Sequence, residues 1–244
     1  MNPMITNKIE TLLESGSEPV IRTKSLCRYF GEGETLVKAV NQVTISIEPG
    51  EFTAIIGPSG SGKSTLLHLL GGLDNPTSGF VELSGIKIEK MSGAQISDFR
   101  RDHIGFVFQA YNLIPVLSAE ENIEYIMLLQ GISSAVRRKR VKAMLDLVGL
   151  SELGSRRPGQ LSGGQQQRVA VARAMASHPD IILADEPTAN LDSKTGIALI
   201  DVMKALNEKQ NMTFVFSTHD EKIMARASRL IHMEDGVVIK DERR

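Results

Sequence analysis

The stretch that most constrains this chain is Gly57-Pro58-Ser59-Gly60-Ser61-Gly62-Lys63-Ser64-Thr65, which satisfies the pattern G-x-x-x-x-G-K-[ST]. Such a loop works only between a strand and a helix. Its glycines let successive N–H groups converge on phosphate oxygens, and the following helix adds its positive end. The neighbours supply that context. Phe52 to Ile56 is a short apolar run ahead of the loop, and Leu66 to Leu70 continues as a helix ending at Gly71-Gly72. Lys63 then reaches the terminal phosphates of a nucleoside triphosphate, and the Ser64 hydroxyl can ligate Mg²⁺.

The rest of the chain alternates in the same style. Strand patterns occur at Val20 to Phe30, Leu36 to Ile47, Ile104 to Phe108, Ile181 to Ala184 and Phe214 to Phe216. Hairpins are expected around Ser84-Gly85 and Asp235-Gly236. Helices are expected at Ser118 to Gln130, Ser134 to Val148, Ser162 to Ala176, Ser193 to Glu208 and Glu221 to Ala227. Ser118, Ser134 and Ser162 are the expected N-caps, and Glu121 completes a capping box with Ser118. Interleaved strands and helices predict an α/β fold with a largely parallel sheet covered on both faces. The all-helical stretch from about Gln109 to Ala176 reads as a subdomain within residues 20–244, and residues 1–19 as a loosely attached extension with a short helix around Ile5 to Leu13.

Composition narrows the partners. A net charge of -1 gives no basic field to attract nucleic acid. The single cysteine, Cys27, excludes an internal disulfide and a cysteine-based zinc cluster. No apolar run approaches the ~20 residues that span a bilayer, and Met1 to Glu18 lacks the pattern of a secretory signal. Any membrane connection is therefore expected through a partner.

Several strands end in polar residues suited to work on a phosphate. Ile181-Ile182-Leu183-Ala184 delivers Asp185 and Glu186 at its C-terminal edge, where open α/β sheets bind ligands. Asp185 is expected to hold Mg²⁺, directly or through water, and Glu186 to polarise the attacking water as general base. His219 and Gln109 also follow strands. The first suits the terminal phosphate, the second Mg²⁺ or the attacking water. A further glycine-rich helix start, Leu161-Ser162-Gly163-Gly164-Gln165, is suited to an anion because Ser162 caps a helix whose glycines leave its end bare.

In this order the loop Gly57–Thr65, Gln109, Leu161–Gln165, Asp185-Glu186, Asn190-Leu191-Asp192 and His219 resemble an ATP-binding cassette (ABC) ATPase from Val20 to Gly236. The resemblance implies a P-loop NTPase core with an antiparallel β subdomain and an α-helical subdomain, ATP and Mg²⁺ as cofactors, and a homodimer. Ser162, Gly163, Gly164 and Gln165 would then meet the terminal phosphate of ATP bound to the other subunit, and Asp192 would link the two sites. Ala189 stands where the family usually has serine. The family's adenine-stacking aromatic falls on Tyr29, with Phe30 as second choice.

Tyr111-Asn112-Leu113-Ile114-Pro115, Ala119-Glu120-Glu121-Asn122 and Leu69-Leu70-Gly71-Gly72-Leu73-Asp74 resemble the ATP-binding subunits of lipoprotein-releasing and macrolide-export transporters. That branch implies integral membrane permease subunits as partners and a peripheral position on the cytoplasmic face of the inner membrane. The segment Ala110 to Gln130 would then hold the coupling surface. Two other readings stay open: a cassette regulating an envelope or cell-division process without cargo, and a soluble ABC ATPase acting on DNA or ribosomes. The second fits less well, because the chain has one cassette, no sustained heptads and near-neutral charge.

Overall fold

The computed structural model describes residues 18–244, so the helix expected around Ile5 to Leu13 lies outside the described residues. The first part of the chain forms β1 (Ile21–Phe30), β2 (Val37–Val43), β3 (Ser46–Ile47), β4 (Phe52–Ile56), α1 (Lys63–Leu70), β5 (Ser78–Leu83) and β6 (Ile86–Lys87). The middle forms α2 (Gly93–His103), β7 (Ile104–Val107), α3 (Ala119–Leu129), α4 (Ser134–Leu147) and α5 (Gly163–Ala176). The last part forms β8 (Ile181–Ala184), α6 (Ser193–Gln210), β9 (Thr213–Thr218), α7 (Glu221–Met224), β10 (Arg229–Glu234) and β11 (Val237–Arg243).

Two sheets result. The larger has the order β11-β10-β4-β9-β8-β7, parallel throughout except for the β10–β11 hairpin. The smaller is antiparallel, in the order β2-β1-β5-β6 with β3 also paired to β1. The period of two in the larger sheet divides the core. Phe52, Ala54, Ile56, Ile182, Ala184, Phe214 and Phe216 face one cluster, packed with Val169, Leu199 and Met203 of α5 and α6. Ile55, Ile181, Leu183 and Val215 face another, with Leu66, Leu69 and Leu70 of α1 and Leu26, Val81 and Leu83 of the smaller sheet. Strands buried on both faces read as continuous apolar runs for this reason.

Arg229 ties the two sheets together. Its side chain pairs with both Asp241 oxygens at 2.8 and 2.7 Å and reaches Glu51 at 2.8 Å and the Ser46 carbonyl at 2.6 Å. A buried guanidinium needs this many acceptors to offset its lost hydration.

Local details depart from expectation in instructive ways. α2 escaped the periodicity argument because it is polar and buries only Phe99. Its signal was the box Ser92 and Gln95, whose side chain and N–H bonds both form. α4 is capped at Ser133, not Ser134, without a side-chain bond. The strand expected over Leu36 to Ile47 divides into β2 and β3, close to Gln42 at φ +53°. Ser118 and Ser162 do cap their helices, each reciprocated by the glutamate or glutamine three residues on.

Phe216 has no exposure and meets the Phe52 ring at 5.0 Å between centroids. Phe216→Ala is expected to lower unfolding free energy by about 3–5 kcal/mol, read from urea denaturation.

Candidate active site

The parallel order β4-β9-β8-β7 brings four strand ends to one edge. From them project the phosphate loop, His219, Asp185 with Glu186, and Gln109. A cleft of about 930 Å³ opens there. It is lined by the phosphate loop from Gly57 to Thr65 except Ser61, by Gln109, Glu186 and His219, and by Leu36 to Ala39 of the smaller sheet. The Asp185 carboxylate accepts the Ser217 hydroxyl at 2.6 Å and is not part of this lining. Ser162, Gly163, Gly164, Gln165 and Asp192 stand outside it, as do Tyr29 and Phe30.

The loop folds as its residue types require. Gly62 precedes α1 at φ +96°, and a Cβ there would run into the Ala39 carbonyl, so a side chain is excluded twice over. Leu66 N–H to Gly62 carbonyl is the first intrahelical bond of α1, and the N–H groups before it are left to a ligand. The Lys63 ammonium donates to the Gly57 and Pro58 carbonyls, both at 2.8 Å, which holds it across the mouth of the loop. The Ser61 hydroxyl is buried without a partner.

Glu186 sits at φ +48°, a left-handed conformation that costs a residue other than glycine about 1–3 kcal/mol. Its carboxylate is mostly covered and lies 3.0 Å from His219 Nδ1, whose own side chain is 72% exposed at the rim. The base expected from sequence therefore has an imidazole at hydrogen-bond distance. Among the described residues no group of three or more His, Cys, Asp or Glu is arranged to hold a metal. The oxygens offered at this edge are of mixed kind: the Ser64 hydroxyl, the Gln109 amide and the Asp185 carboxylate.

The other glycine-rich helix start forms as expected and faces elsewhere. Ser162 accepts the Gln165 N–H at 3.2 Å, and Gln165 Oε1 accepts the Ser162 N–H at 2.8 Å. The Gln165 side chain thus caps α5. A Cβ on Gly163 would lie 2.7 Å from the Tyr111 hydroxyl, and one on Gly164 would lie 2.9 Å from Leu191. These glycines admit neighbours as well as baring the helix end. Asp192 caps α6, and the Thr195 hydroxyl, with N–H donors of the first turn, holds its carboxyl below the usual range.

A family model described as ABC transporter matches residues 40–189, well over half of the 244 residues. The chain belongs to the ABC transporter family. It is an ABC ATPase, and its enzymatic activity is ATP hydrolysis. An uncharacterized ABC transporter ATP-binding protein of Methanocaldococcus jannaschii, MJ1508, is 46% identical over 91% of this chain and 98% of its own length. The macrolide export ATP-binding/permease protein MacB of Hyphomonas neptunium is 45% identical over 91% of this chain, which spans only 34% of that exporter. Among solved structures, the ATP-binding cassette MJ0796, a dimer in a post-hydrolysis state bound to ADP and Pi, superposes with a TM-score of 0.87. It is 44% identical, and the match covers 91% of this chain and 98% of that one.

Two side chains of this ABC ATPase organise the segment after Gln109: Arg173, which belongs to no motif, and Asn122, which ends the segment Ala119-Glu120-Glu121-Asn122. Arg173 of α5 donates to the Asn112 carbonyl at 2.6 Å and the Tyr111 carbonyl at 3.0 Å, where the backbone turns through φ +61° and +48°. Asn122 of α3 is fully buried; its amide donates to the Ile114, Leu117 and Ser118 carbonyls and accepts the Ile114 N–H. Asn190 adds a bond to the Gln109 carbonyl at 3.1 Å. The Asn122 contacts are local, whereas those of Arg173 and Asn190 cross 61 to 81 residues of sequence, so no local pattern announces them. Arg173→Ala is expected to cost about 1–3 kcal/mol, since it strips two carbonyls of a charged donor. Hydrogen exchange should then accelerate selectively over residues 109–115.

Proposed function

We propose that this chain is the ATP-driven motor of a membrane export or release complex, closing as a homodimer on two ATP–Mg²⁺. One observation carries the composite site. The phosphate loop and the Glu186–His219 pair share one cleft, whereas the capped start of α5, with Ser162 exposed, lies outside it. Each nucleotide would lie between the cleft of one copy and Ser162, Gly163 and Gly164 of the other, with Asp192 beside the junction. The dimeric state of the similar cassette MJ0796 supports this reading.

Mg²⁺ suits the residues at hand. Ser64, Gln109 and Asp185 are all oxygen donors, which a hard, octahedral cation prefers. When bound it would neutralise charge developing on the phosphates. Lys63 and the N–H groups of α1 hold the phosphates, Glu186 orients and deprotonates water, and His219 holds the Glu186 carboxylate at the rim. Adenine stacking is placed on Phe30 in preference to Tyr29. Both pair across the sheet with cleft residues, Phe30 with Val37 and Tyr29 with Lys38, but Phe30 is the more open of the two at 43% exposed. Tyr29 is partly buried, with its hydroxyl bound to Asn41 at 2.8 Å, and each ring carries a cation, Lys38 over Tyr29 at 5.7 Å and Arg28 over Phe30 at 4.6 Å.

A membrane permease is the proposed partner, and the inner membrane's cytoplasmic face the proposed location. Among the described residues no helix is long and apolar enough to cross a membrane. α3 buries Ile123 and Met127 but leaves Tyr125, Leu128 and Leu129 exposed. Tyr125 and Leu129 line a groove of about 630 Å³ with Leu73, Phe106, Phe108 and Ile114. An apolar groove beside Gln109 suits a short helix from the permease. The proposed process is lipoprotein release or export of lipophilic, macrolide-type compounds, and the macrolide exporter among the relatives supports the second.

Glu186→Gln should lower turnover by at least ~100-fold while ATP affinity stays within a few-fold, and an ATP-stabilised dimer should accumulate on gel filtration. Undiminished hydrolysis would remove Glu186 as the base. Phe30→Ala should weaken ATP binding by about tenfold, as the loss of one stacking contact implies, whereas Tyr29→Ala should weaken it by about twofold or less; titration with a fluorescent ATP analogue compares them.

A further inference from the structure

Ser217 is the penultimate residue of β9, the strand between β4, which ends in the phosphate loop, and β8, which ends in Asp185 and Glu186. Its side chain is fully buried. The hydroxyl donates to Asp185 Oδ1 at 2.6 Å and accepts the Glu186 N–H at 2.8 Å. The directions are unambiguous, because a backbone N–H can only donate and a carboxylate can only accept. One proton and one lone pair of a single hydroxyl therefore join the two acids of the site.

Both contacts matter at the positions where they fall. Paired residues in the β8–β9 ladder end at Ala184 and Phe216, and the next N–H on that side, from Glu186, takes the Ser217 hydroxyl as acceptor. The bond is made where the Glu186 backbone turns left-handed at φ +48°, so it helps hold an unfavourable conformation that aims the side chain into the cleft. Two residues on, His219 Nδ1 lies 3.0 Å from Glu186 Oε1. The end of β9 thus grips Glu186 twice, at its backbone through Ser217 and at its carboxylate through His219. On the other acid, the 2.6 Å bond occupies Oδ1 and sets the plane of the Asp185 carboxylate, leaving Oδ2 to the site. A donor to a carboxylate at this distance is among the stronger protein hydrogen bonds.

We propose that Ser217 is a positioning residue for ATP hydrolysis, a single buried hydroxyl that couples the orientation of Asp185 to that of Glu186. The inference rests on the roles of Asp185 and Glu186 given under Proposed function. It assigns Ser217 no contact with nucleotide or metal. Loss of the hydroxyl would release both acids together, so the need for Mg²⁺ and the rate of the chemical step would change in concert while nucleotide affinity stays.

The test compares Ser217→Ala with Ser217→Thr, which keeps the hydroxyl, in the full chain. The alanine variant should show kcat lowered by roughly tenfold or more, the scale of a lost hydrogen bond to a charged group, and the Mg²⁺ concentration for half-maximal rate raised by about threefold or more. Its KM for ATP at saturating Mg²⁺ and its nucleotide affinity without Mg²⁺ should stay within about twofold. The threonine variant should restore both parameters. An alanine variant that is folded and retains kcat, or loses kcat with its Mg²⁺ requirement unchanged, overturns the proposal. Should alanine prevent folding, Ser217→Cys, similar in volume but a weak donor, is read by the same criteria. Glu186→Gln in parallel separates the two readings: its continued turnover would remove the assignment of the base, whereas an inactive Glu186→Gln beside an unimpaired Ser217→Ala removes only the role of Ser217.

Discussion

Parallel pairing of β4 with β9, of β9 with β8 and of β8 with β7 is the constraint on which the rest of the molecule depends. Four strands running the same way must end at one edge, and each leads there into residues that can act on a phosphate. β4 runs into Gly57, β9 into His219, β8 into Asp185, and β7 reaches Gln109 two positions after Val107. The apolar runs that look like mere core are what place these ends. Phe52, Phe214 and Phe216 pack with tilted rings in the first cluster, and Ile55, Leu183 and Val215 fill the second. Registers are thereby held on both faces, and a slip of one residue would exchange the clusters.

Around that rigid edge the helical part is attached by polar clamps as well as by packing. Arg173, Asn122 and Asn190 bind backbone carbonyls of the segment from Gln109 to Ser118, where the chain passes from the sheet to α3. Their acceptors are carbonyls outside the sheet ladders: those of Ser118 and Ile114 also take a backbone N–H, whereas those of Tyr111 and Asn112 are satisfied by the Arg173 side chain. The same segment borders the apolar groove and touches the start of α5 through Tyr111 and Gly163.

Much was legible in the sequence because the signals were local. Strand, loop and helix around Lys63 follow from residue types within about twenty positions, and the boxes at Ser118 and Ser162 follow from a spacing of three. Where the pattern was faint, as in the polar helix Gly93–His103, the apolar period gave no signal even though the cap did. The aromatic near the cleft shows another limit. Tyr29 and Phe30 are adjacent and equally aromatic, both pair with cleft residues, and only exposure distinguishes them.

By itself the sequence determined the chemistry: a phosphate loop, two acids after a buried strand, a histidine and a glutamine after others, and a capped glycine-rich helix start. Each depends on bonds or conformations within a few residues, which composition and spacing encode directly. The tertiary structure alone decided their relations. It separated the glycine-rich helix start from the cleft and buried the Ser217 hydroxyl between Asp185 and Glu186. Those relations join residues brought together by sheet order, and sheet order is set by the packing of the whole chain.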